Sequence, residues 1–386
     1  QQDIDELEKD IHSSQDFSKI QGRFNTRLSL SSANADEVIK KRLLEKNDTG
    51  KDAVQLLYTS EVKASLRNKI NFSDGTISLK KYDTLKDFSE FYPMIPYQLD
   101  LLQQVFTKIR ENSSAGKHFA SGERNLLGAV QYAALEYAEK DLGILIPFQT
   151  FYGHLDQGLD HSVRATIIKA QSTPTLQSFD VDVLKVLYLI RYLKSVPSTV
   201  ENITTLMLDE LDADRLKLTK NITAALDRLT KEYLVQRTGL EYLFLTNEEQ
   251  DINREINHMD IPTSKMQSYI GEMIYDTVLE MKKYKYVPFA EKKTVAYDFD
   301  CAKWIDESAR GNATAEIGIH VVTPYSDDYR TREELQQLSS RESRLVIALG
   351  DSGTFYDDTM MLLKINEYLR SQSSKQNSGI KREIID

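Results

Sequence analysis

The sequence has little of three features that define large classes of protein: cysteine, long apolar runs and positive charge. A single cysteine, Cys301, excludes an intramolecular disulfide and favours a reducing compartment such as the cytoplasm. No apolar run approaches the roughly 18 residues that a membrane span needs, so we expect no membrane partner. The net charge of −10 argues against a surface that coats DNA generally, although a local basic face would be compatible with it.

The remaining composition is that of a globular protein with several domains. Apolar residues make up 40% and charged residues 28% of the chain, and its 386 residues allow about two to four domains. The six histidines show no paired spacing for zinc, so no metal site is predicted. The chain begins at Gln1 inside a polar helical stretch and ends at Asp386 just after another. We therefore expect an excised piece of a longer protein.

The stretch from Phe179 to Asn247 has the pattern of a winged helix-turn-helix. An amphipathic helix is followed by a second helix with Thr199 as its N-cap, and a third is expected from about Asp212 to Glu232. Two β-rich runs then meet at Thr238-Gly239, where glycine permits the positive φ of a tight turn. Three helices followed by a hairpin is the order of a winged helix. The predicted apolar faces are Val183, Val186, Leu187, Ile190 and Leu193 on the first helix and Leu216, Leu218, Ile222, Ala225, Leu226 and Leu229 on the third.

The third helix of this unit is the candidate DNA-contacting element. In a winged helix the third helix usually reads a groove and the wing touches phosphate. Residues 180–246 hold nine Lys/Arg and ten Asp/Glu, which gives 9 − 10 = −1, whereas a strong DNA-binding module is normally basic. This charge favours packing against a neighbouring domain or subunit over contact with duplex DNA. If DNA is bound, the predicted contacts are Lys217, Lys220, Lys231 and Arg237.

The string QGRFNTRLSL at residues 21–30 follows a predicted helix and leads into a strand and a further helix. This order resembles the segment that closes the nucleotide-binding domain of AAA+ ATPases. The resemblance implies that Arg23 is an arginine finger for a neighbouring subunit's site, with Arg27 in reserve. A guanidinium placed on the γ-phosphate stabilises charge that grows in the transition state. Two surface arginines beside a strand are the alternative.

The string GKHFASGERNLLGAV at residues 116–130 opens a second motif, a glycine-containing loop that leads onto a long helix. It is similar to the sensor-2 helix of AAA+ ATPases, and the resemblance places Arg124 over the bound phosphates, with Lys117 close by. A helix N-terminus that carries such cations suits an anion on dipole grounds. The alternative is a lid helix that begins with an ordinary exposed arginine. The residues expected to pack are Leu127, Val130, Ala134 and Ala138.

No phosphate-cradling loop accompanies these motifs. At Gly116-Lys117 a P-loop would need glycine where Glu111 stands, and Ser or Thr where His118 stands. We therefore expect this chain alone to be inactive as an ATPase and to hold no cofactor. ATP and Mg²⁺ would be bound in the full-length protein.

Four strings carry a closer resemblance, to the BrxC family of P-loop ATPases from the bacterial BREX phage-defence system and to its relative PglY. They are FYPMIPYQLDLLQQVF, GKHFASGERNLL, DVLKVLYLIRYL and FLTNEEQDINREI, and the resemblance covers most of residues 17–260. It implies Walker motifs upstream, and a chain that supplies a lid, an arginine finger and a winged helix for ATP-driven assembly of the defence complex. It also implies copies of itself and other BREX proteins as partners. A stand-alone DNA-binding module and a non-catalytic docking scaffold remain alternatives.

The C-terminal region predicts a small α/β domain. Strands are expected at 294–306, 316–325 and 344–350, followed by a helix at 357–370. The string GDSG at Gly350–Gly353 is interpreted as a strand-to-helix turn, because no accompanying histidine and aspartate pattern supports a protease nucleophile. The expected fold is mixed and mainly α. Its segments are 1–50, the end of an AAA+ core with the first lid helix; 51–176, a helical lid-like region; 177–260, the winged helix; 261–371, the α/β domain; and 372–386, a polar tail.

Overall fold

The computed structural model describes residues 32–73, 79–112, 122–280, 283–287, 296–315, 317–327, 331–351 and 353–372. It confirms a mixed, mainly helical chain with a small sheet in its C-terminal part. The chain divides into two compact units, Gln1–Asp251 and Ile252–Asp386. The predicted strand at Arg27–Ser31 lies outside the described residues. No helix in the described ranges is long and apolar enough to cross a membrane.

The first part of the first unit is helical, and side-chain caps define the starts of some of its helices. Asn47 accepts a hydrogen bond from the Gly50 N–H (2.8 Å), and Thr59 accepts one from the Val62 N–H (3.2 Å). Each bond satisfies a backbone donor that the first helical turn leaves free. The helices are α1 Ser32–Val38, α2 Asp48–Leu57, α3 Ser60–Lys69, α4 Leu85–Phe91, α5 Tyr97–Asn112, α6 Gly122–Glu136, α7 Tyr152–Leu155 and α8 His161–Ser172, with a π turn at Ile39–Leu43 and 3₁₀ turns at Phe148–Phe151 and Asp156–Gly158.

Three further helices and a hairpin follow, in the predicted order. They are α9 Ser178–Ile190, α10 Val200–Leu206, α11 Arg215–Lys231, β1 Val235–Thr238 and β2 Glu241–Phe244. Thr199 is the N-cap of α10, as predicted, and Asp214 is the N-cap of α11. The residues of the predicted face are all buried, but Leu193 lies beyond the end of α9. These elements and the upstream helices share one apolar core.

The hairpin closes the first unit with two antiparallel strands. Val235 pairs with Phe244 and Thr238 with Glu241, and Gly239 adopts a φ of +60° in the turn, as its predicted role requires. An isolated antiparallel bridge joins Glu241 to Thr199. The Tyr242 N–H also donates to the Ser198 carbonyl (3.1 Å). The segment before α10 therefore lies beside the hairpin as a short third strand.

Two predicted helix faces are partly wrong. Leu216 is 84% exposed, because it lies on the side of α11 opposite the buried Ile222. In α6 the buried positions are Leu126, Ala129, Val130 and Ala133. The predicted Leu127 and Ala134 are half-buried, and Ala138 is exposed beyond the helix end. The consecutive Leu-Leu and Ala-Ala pairs of α6 fit two helix registers, and the structure uses the other one.

The second unit contains a small mixed sheet with helices packed on one face. Strands β4, β6 and β7 pair in parallel in that order; β3 and β5 pair antiparallel with β4. Ile305 and Val321 project from the sheet into a core with Met266, Ile270 and Leu363. The three predicted strands and the last helix are confirmed. The elements are α12 Asn247–Asn257, α13 Thr263–Glu272 with a π turn at Met273–Val278, β3 Lys283–Tyr286, β4 Tyr297–Ile305, β5 Ser308–Arg310, β6 Ile317–Val322, α14 Arg332–Glu342, β7 Arg344–Ala348 and α15 Gly353–Gln372.

Candidate functional site

Of the residues predicted to contact phosphate, Arg124 lies within the described part of the chain. Arg23, Arg27 and Lys117 lie outside the described residues. Arg124 lies in the first turn of α6, which begins at Gly122. Its side chain is not among those described. The sensor-2 role of Arg124 stays a prediction.

Helix α6 is held closely against α7 one turn beyond Arg124. A Cβ added at Gly128 would lie 2.6 Å from Cε1 of His154, and one added at Gly153 would lie 2.4 Å from the hydroxyl of Tyr132. Glycine at both positions is what lets the two helices approach. Burial lowers the pKa of His154, so its imidazole is neutral at this contact near neutral pH.

Three of the predicted DNA-contacting residues share the exposed face of α11. Lys217, Lys220 and Lys231 are all exposed, and their spacing places them on one side of the helix, opposite the buried Ile222 and Leu226. None of the three has an ion-pair partner within the described part of the chain. The same face carries Leu216, Thr223 and Asp227.

The two arginines of α11 serve the fold instead. The Arg228 guanidinium donates to both oxygens of the buried Asp180 carboxylate, at 2.7 and 2.6 Å. These hydrogen bonds raise the pKa of Arg228. The Arg215 guanidinium donates to the Thr205 hydroxyl (3.0 Å) and to the Glu201 carbonyl (3.2 Å), and burial lowers its pKa. The lysines of α11 are therefore the cations of this helix that remain available to a ligand.

Arg237, the fourth predicted contact, lies on β1 of the hairpin. Its side chain is exposed, its Nε donates to the Gly239 carbonyl at 3.1 Å, and its guanidinium lies 5.9 Å from the ring centre of Tyr242. These contacts hold the side chain along the hairpin while leaving its outer side open to solvent. The structure thus groups three candidates on one helix face and places the fourth on the adjoining hairpin.

Comparison with known families gives a match in the second unit. Residues 259–386 match the family described as BREX ATP-binding protein BrxC, 4th domain with six-stranded beta sheet. This match supports a BrxC-family fragment. The match lies downstream of the four strings that carried the sequence resemblance, so the two observations concern different parts of the chain. No solved structure matches the chain.

The match supports a component of a BREX defence protein. The family description counts six strands, and the part of the matched region that the structure describes contains β3, β4, β5, β6 and β7. The first unit, Gln1–Asp251, lies wholly outside the match. Its interpretation therefore depends on its own contacts.

The structure adds contacts at α10 that the sequence did not predict. The Asn202 side chain accepts from the Ser73 N–H (2.9 Å) and donates to the carbonyls of Ser73 (3.1 Å) and Pro197 (2.8 Å). The Thr205 hydroxyl donates to the Asn71 carbonyl at 2.6 Å. Asn202 stands at the third position of α10, where a capping-box side chain would bind the N-cap backbone, but its side chain binds the segment after α3 instead. Burial of the Asn202 side chain distinguishes a contact with the segment after α3 from a capping-box contact. An amide at the third position of a helix does not reveal its burial in a sequence.

Proposed function

We propose that this chain is the lid and winged-helix portion of an ATP-driven BREX defence protein that acts with copies of itself and with other BREX proteins. The observation that carries the proposal is the single apolar core that joins α6, the helix with Arg124 in its first turn, to α9, α10, α11 and the hairpin. A nucleotide signal received at the start of α6 would be passed to the hairpin through packed side chains. The ATP and Mg²⁺ site itself would be formed mainly by other residues of the protein.

Two features support a winged helix. Three helices precede an antiparallel hairpin, and the Thr199–Glu241 bridge adds the short strand that lies beside the wing in such domains. The interior of the unit is apolar, since Leu187, Ile222 and Phe244 are buried within it. Hydrogen bonds join α10 to residues 71–73. These bonds support a winged helix that packs on neighbouring elements over one that contacts duplex DNA.

These contacts disfavour the stand-alone module. Buried amides and hydroxyls require partners, and those of Asn202 and Thr205 find them in the segment after α3. A piece that began at about residue 177 would lose the hydrogen bonds to Asn71 and Ser73 and keep only those to closer residues, such as the bond from Asn202 to the Pro197 carbonyl. We therefore propose that the lid-like helices and the winged helix move together as one unit.

The test is a subunit-mixing experiment on ATP hydrolysis by the full-length protein. Arg124→Ala and Arg23→Ala should each lower kcat about tenfold or more, because each removes a positive charge from the developing phosphate charge. Mixing the two inactive variants should restore part of the activity, since Arg124 acts within a subunit and Arg23 acts on its neighbour. Arg67→Ala, an exposed arginine on α3, is the matched control and should retain activity. Full activity of both variants would refute the proposal.

Duplex DNA is the second candidate ligand, favoured by the unpaired, exposed lysines on α11. Lys217→Ala with Lys220→Ala should weaken duplex binding and lower the slope of log K against log salt by about 2, since each phosphate contact contributes about 1. Lys140→Ala, an exposed lysine beyond the end of α6, is the control and should leave the slope unchanged. Equal salt slopes for the double variant and the control would assign this face to protein contact instead.

A further inference from the structure

The second unit carries a two-stranded ribbon whose faces differ sharply in chemistry. Strand β3 pairs antiparallel with the first four residues of β4, so that Tyr284 lies opposite Phe299 and Tyr286 opposite Tyr297. Side chains of a strand alternate between its faces, and directly paired residues share a face. One face of the ribbon is therefore wholly aromatic. The other face carries Lys283, Lys285, Asp298 and Asp300.

Both faces are open to solvent. Tyr284 and Tyr286 are each 47% exposed and Tyr297 is 50% exposed. On the other face, Lys283 Nζ lies 3.3 Å from an oxygen of Asp300, and both side chains are mostly exposed. Contiguous exposed aromatic rings with hydroxyl groups are typical of protein interaction surfaces.

The ribbon also has an open strand edge. Within the described residues, β3 is the outermost strand of the path β3-β4-β6-β7 and pairs with β4 alone. The pairing of β4 with β6 begins at Cys301, so, among the described residues, 297–300 pair with β3 only. A two-stranded ribbon is marginally stable in water, and an outer edge presents N–H and C=O groups that accept a further strand.

We propose that the outer edge of β3 binds an extended segment of a partner protein in which acidic residues alternate with aromatic residues. The ribbon itself shows this complementarity, because β3 reads Lys-Tyr-Lys-Tyr and its neighbour in β4 reads Tyr-Asp-Phe-Asp. A second segment of the β4 type would place carboxylates opposite Lys283 and Lys285. It would also extend the row of aromatic rings on the other face.

Charge disfavours two other occupants. If a second copy added its β3 antiparallel with tyrosines facing tyrosines, Lys283 would stand opposite Lys285 of that copy, and like charges directly opposite are destabilising. Single-stranded nucleic acid would stack on the aromatic face, but the two lysines of the ribbon are matched by Asp298 and Asp300. A ribbon with a net charge of 2 − 2 = 0 gives no attraction for a polyanion.

The test measures binding of two labelled peptides to the full chain by fluorescence anisotropy. One peptide repeats Tyr-Asp-Phe-Asp, and the other has lysine in place of each aspartate. The variant Lys283→Glu, Lys285→Glu, Asp298→Lys, Asp300→Lys reverses the charge of both strands and so keeps the ribbon internally complementary. Circular dichroism and thermal unfolding check that the variant folds as the parent chain does.

We expect the parent chain to prefer the acidic peptide by about tenfold or more, and the variant to prefer the lysine peptide by a similar factor, since opposite charges across paired strands are stabilising and like charges are destabilising. Methylation of alternate backbone nitrogens of the acidic peptide should abolish its binding. Equal binding of both peptides, an unchanged preference in the variant, or no binding would overturn the proposal. A dimer that forms through the ribbon and excludes the peptide would overturn the proposal in favour of a second copy. Binding of oligothymidine to the ribbon would overturn it in favour of nucleic acid.

Discussion

At the residue scale, α11 separates charges that hold the fold from charges that face solvent. Asp180 is fully buried and accepts two hydrogen bonds from Arg228 and one from the Gln177 N–H (2.9 Å). The Asp180 carboxylate therefore stabilises the first turn of α9 and links α9 to α11. Asp180 is the third residue of α9, and its partner Arg228, 48 positions away, could only come from the structure.

Removing the partner of a buried carboxylate should cost far more than removing an exposed lysine of the same helix. Arg228→Ala leaves the Asp180 charge uncompensated, and we expect the free energy of unfolding to fall by about 3 kcal/mol. Lys231→Ala, the exposed control, should change it by less than about 0.5 kcal/mol. Urea denaturation measures both. In the Asp180→Asn background, Arg228→Ala should cost much less, and equal costs in both backgrounds would contradict the ion-pair explanation.

Glu249 gives the first unit a pH-dependent contact. Burial raises the pKa of Glu249, but hydrogen bonds and charge from Arg191 and hydrogen bonds from Thr246 outweigh it, so the net pKa lies below the ordinary 4.5. Because the folded-state pKa is the lower one, the stabilisation is present above pH 4.5 and is lost as the pH falls through the folded-state pKa. Glu249→Gln should thus lower the free energy of unfolding by about 1.5 kcal/mol at pH 7 and have little effect in strong acid.

The measurement is urea denaturation of the parent chain and the variant between pH 7 and pH 3. Glu248→Gln, at the exposed neighbouring position, is the control and should change the free energy of unfolding by less than about 0.5 kcal/mol at each pH. A loss in Glu249→Gln of the same size at both ends of the pH range would contradict the assigned ion pair.

At the scale of elements, the contact between α6 and α7 predicts coupling between a glycine and a histidine. Gly128→Ala gains about 1 kcal/mol of helix propensity, but its Cβ must displace the His154 ring at a cost of about 1–3 kcal/mol. We expect net destabilisation in the parent chain. In the His154→Ala background the space is open, and the same substitution should stabilise the chain by about 1 kcal/mol. Denaturation of the four chains measures the coupling, and equal effects in both backgrounds would contradict it.

Elements with local signals were predictable, and those defined by tertiary contacts were not. Thr199 as an N-cap, and glycine at the turn of the hairpin, act through their own neighbours in sequence, so both were predicted. Helix α14 was missed because it has no buried residue and hence no apolar periodicity, and β3 was missed because its exposed Lys-Tyr alternation gives no core face. The exposed lysines of α11 were predictable from amphipathicity, whereas the structural roles of Arg215 and Arg228 depend on distant partners.

At the scale of the whole molecule, the two compact units have cores of different construction. The first unit buries one large apolar cluster that runs from Ala35 to Phe244. The second has a main cluster between sheet and helices and a smaller cluster of Ile252, Ile256 and Tyr368. The smaller cluster draws two of its residues from α12, upstream of the region that matches the BrxC family. The folding unit therefore begins earlier than the family match.

This difference in boundaries predicts the behaviour of two truncated chains. Residues 246–386 keep Thr246, whose hydroxyl accepts from the Glu249 N–H at the start of α12, and keep Ile252 and Ile256 against Tyr368. Residues 259–386 lack these isoleucines and the acceptor of the Tyr368 hydroxyl, Glu255 Oε2 at 2.7 Å. We expect the longer piece to exceed the shorter by about 3 kcal/mol in free energy of unfolding, since each buried isoleucine contributes about 1.5 kcal/mol or more.

Urea denaturation of the two pieces, followed by tyrosine fluorescence, measures the difference. Ile252→Ala with Ile256→Ala in the longer piece should reproduce most of the loss without changing the chain length. If the shorter piece proved as stable as the longer one, Ile252 and Ile256 would contribute nothing to the second core. The small cluster would then be an incidental contact of α12, and the family match would mark the true start of the folding unit.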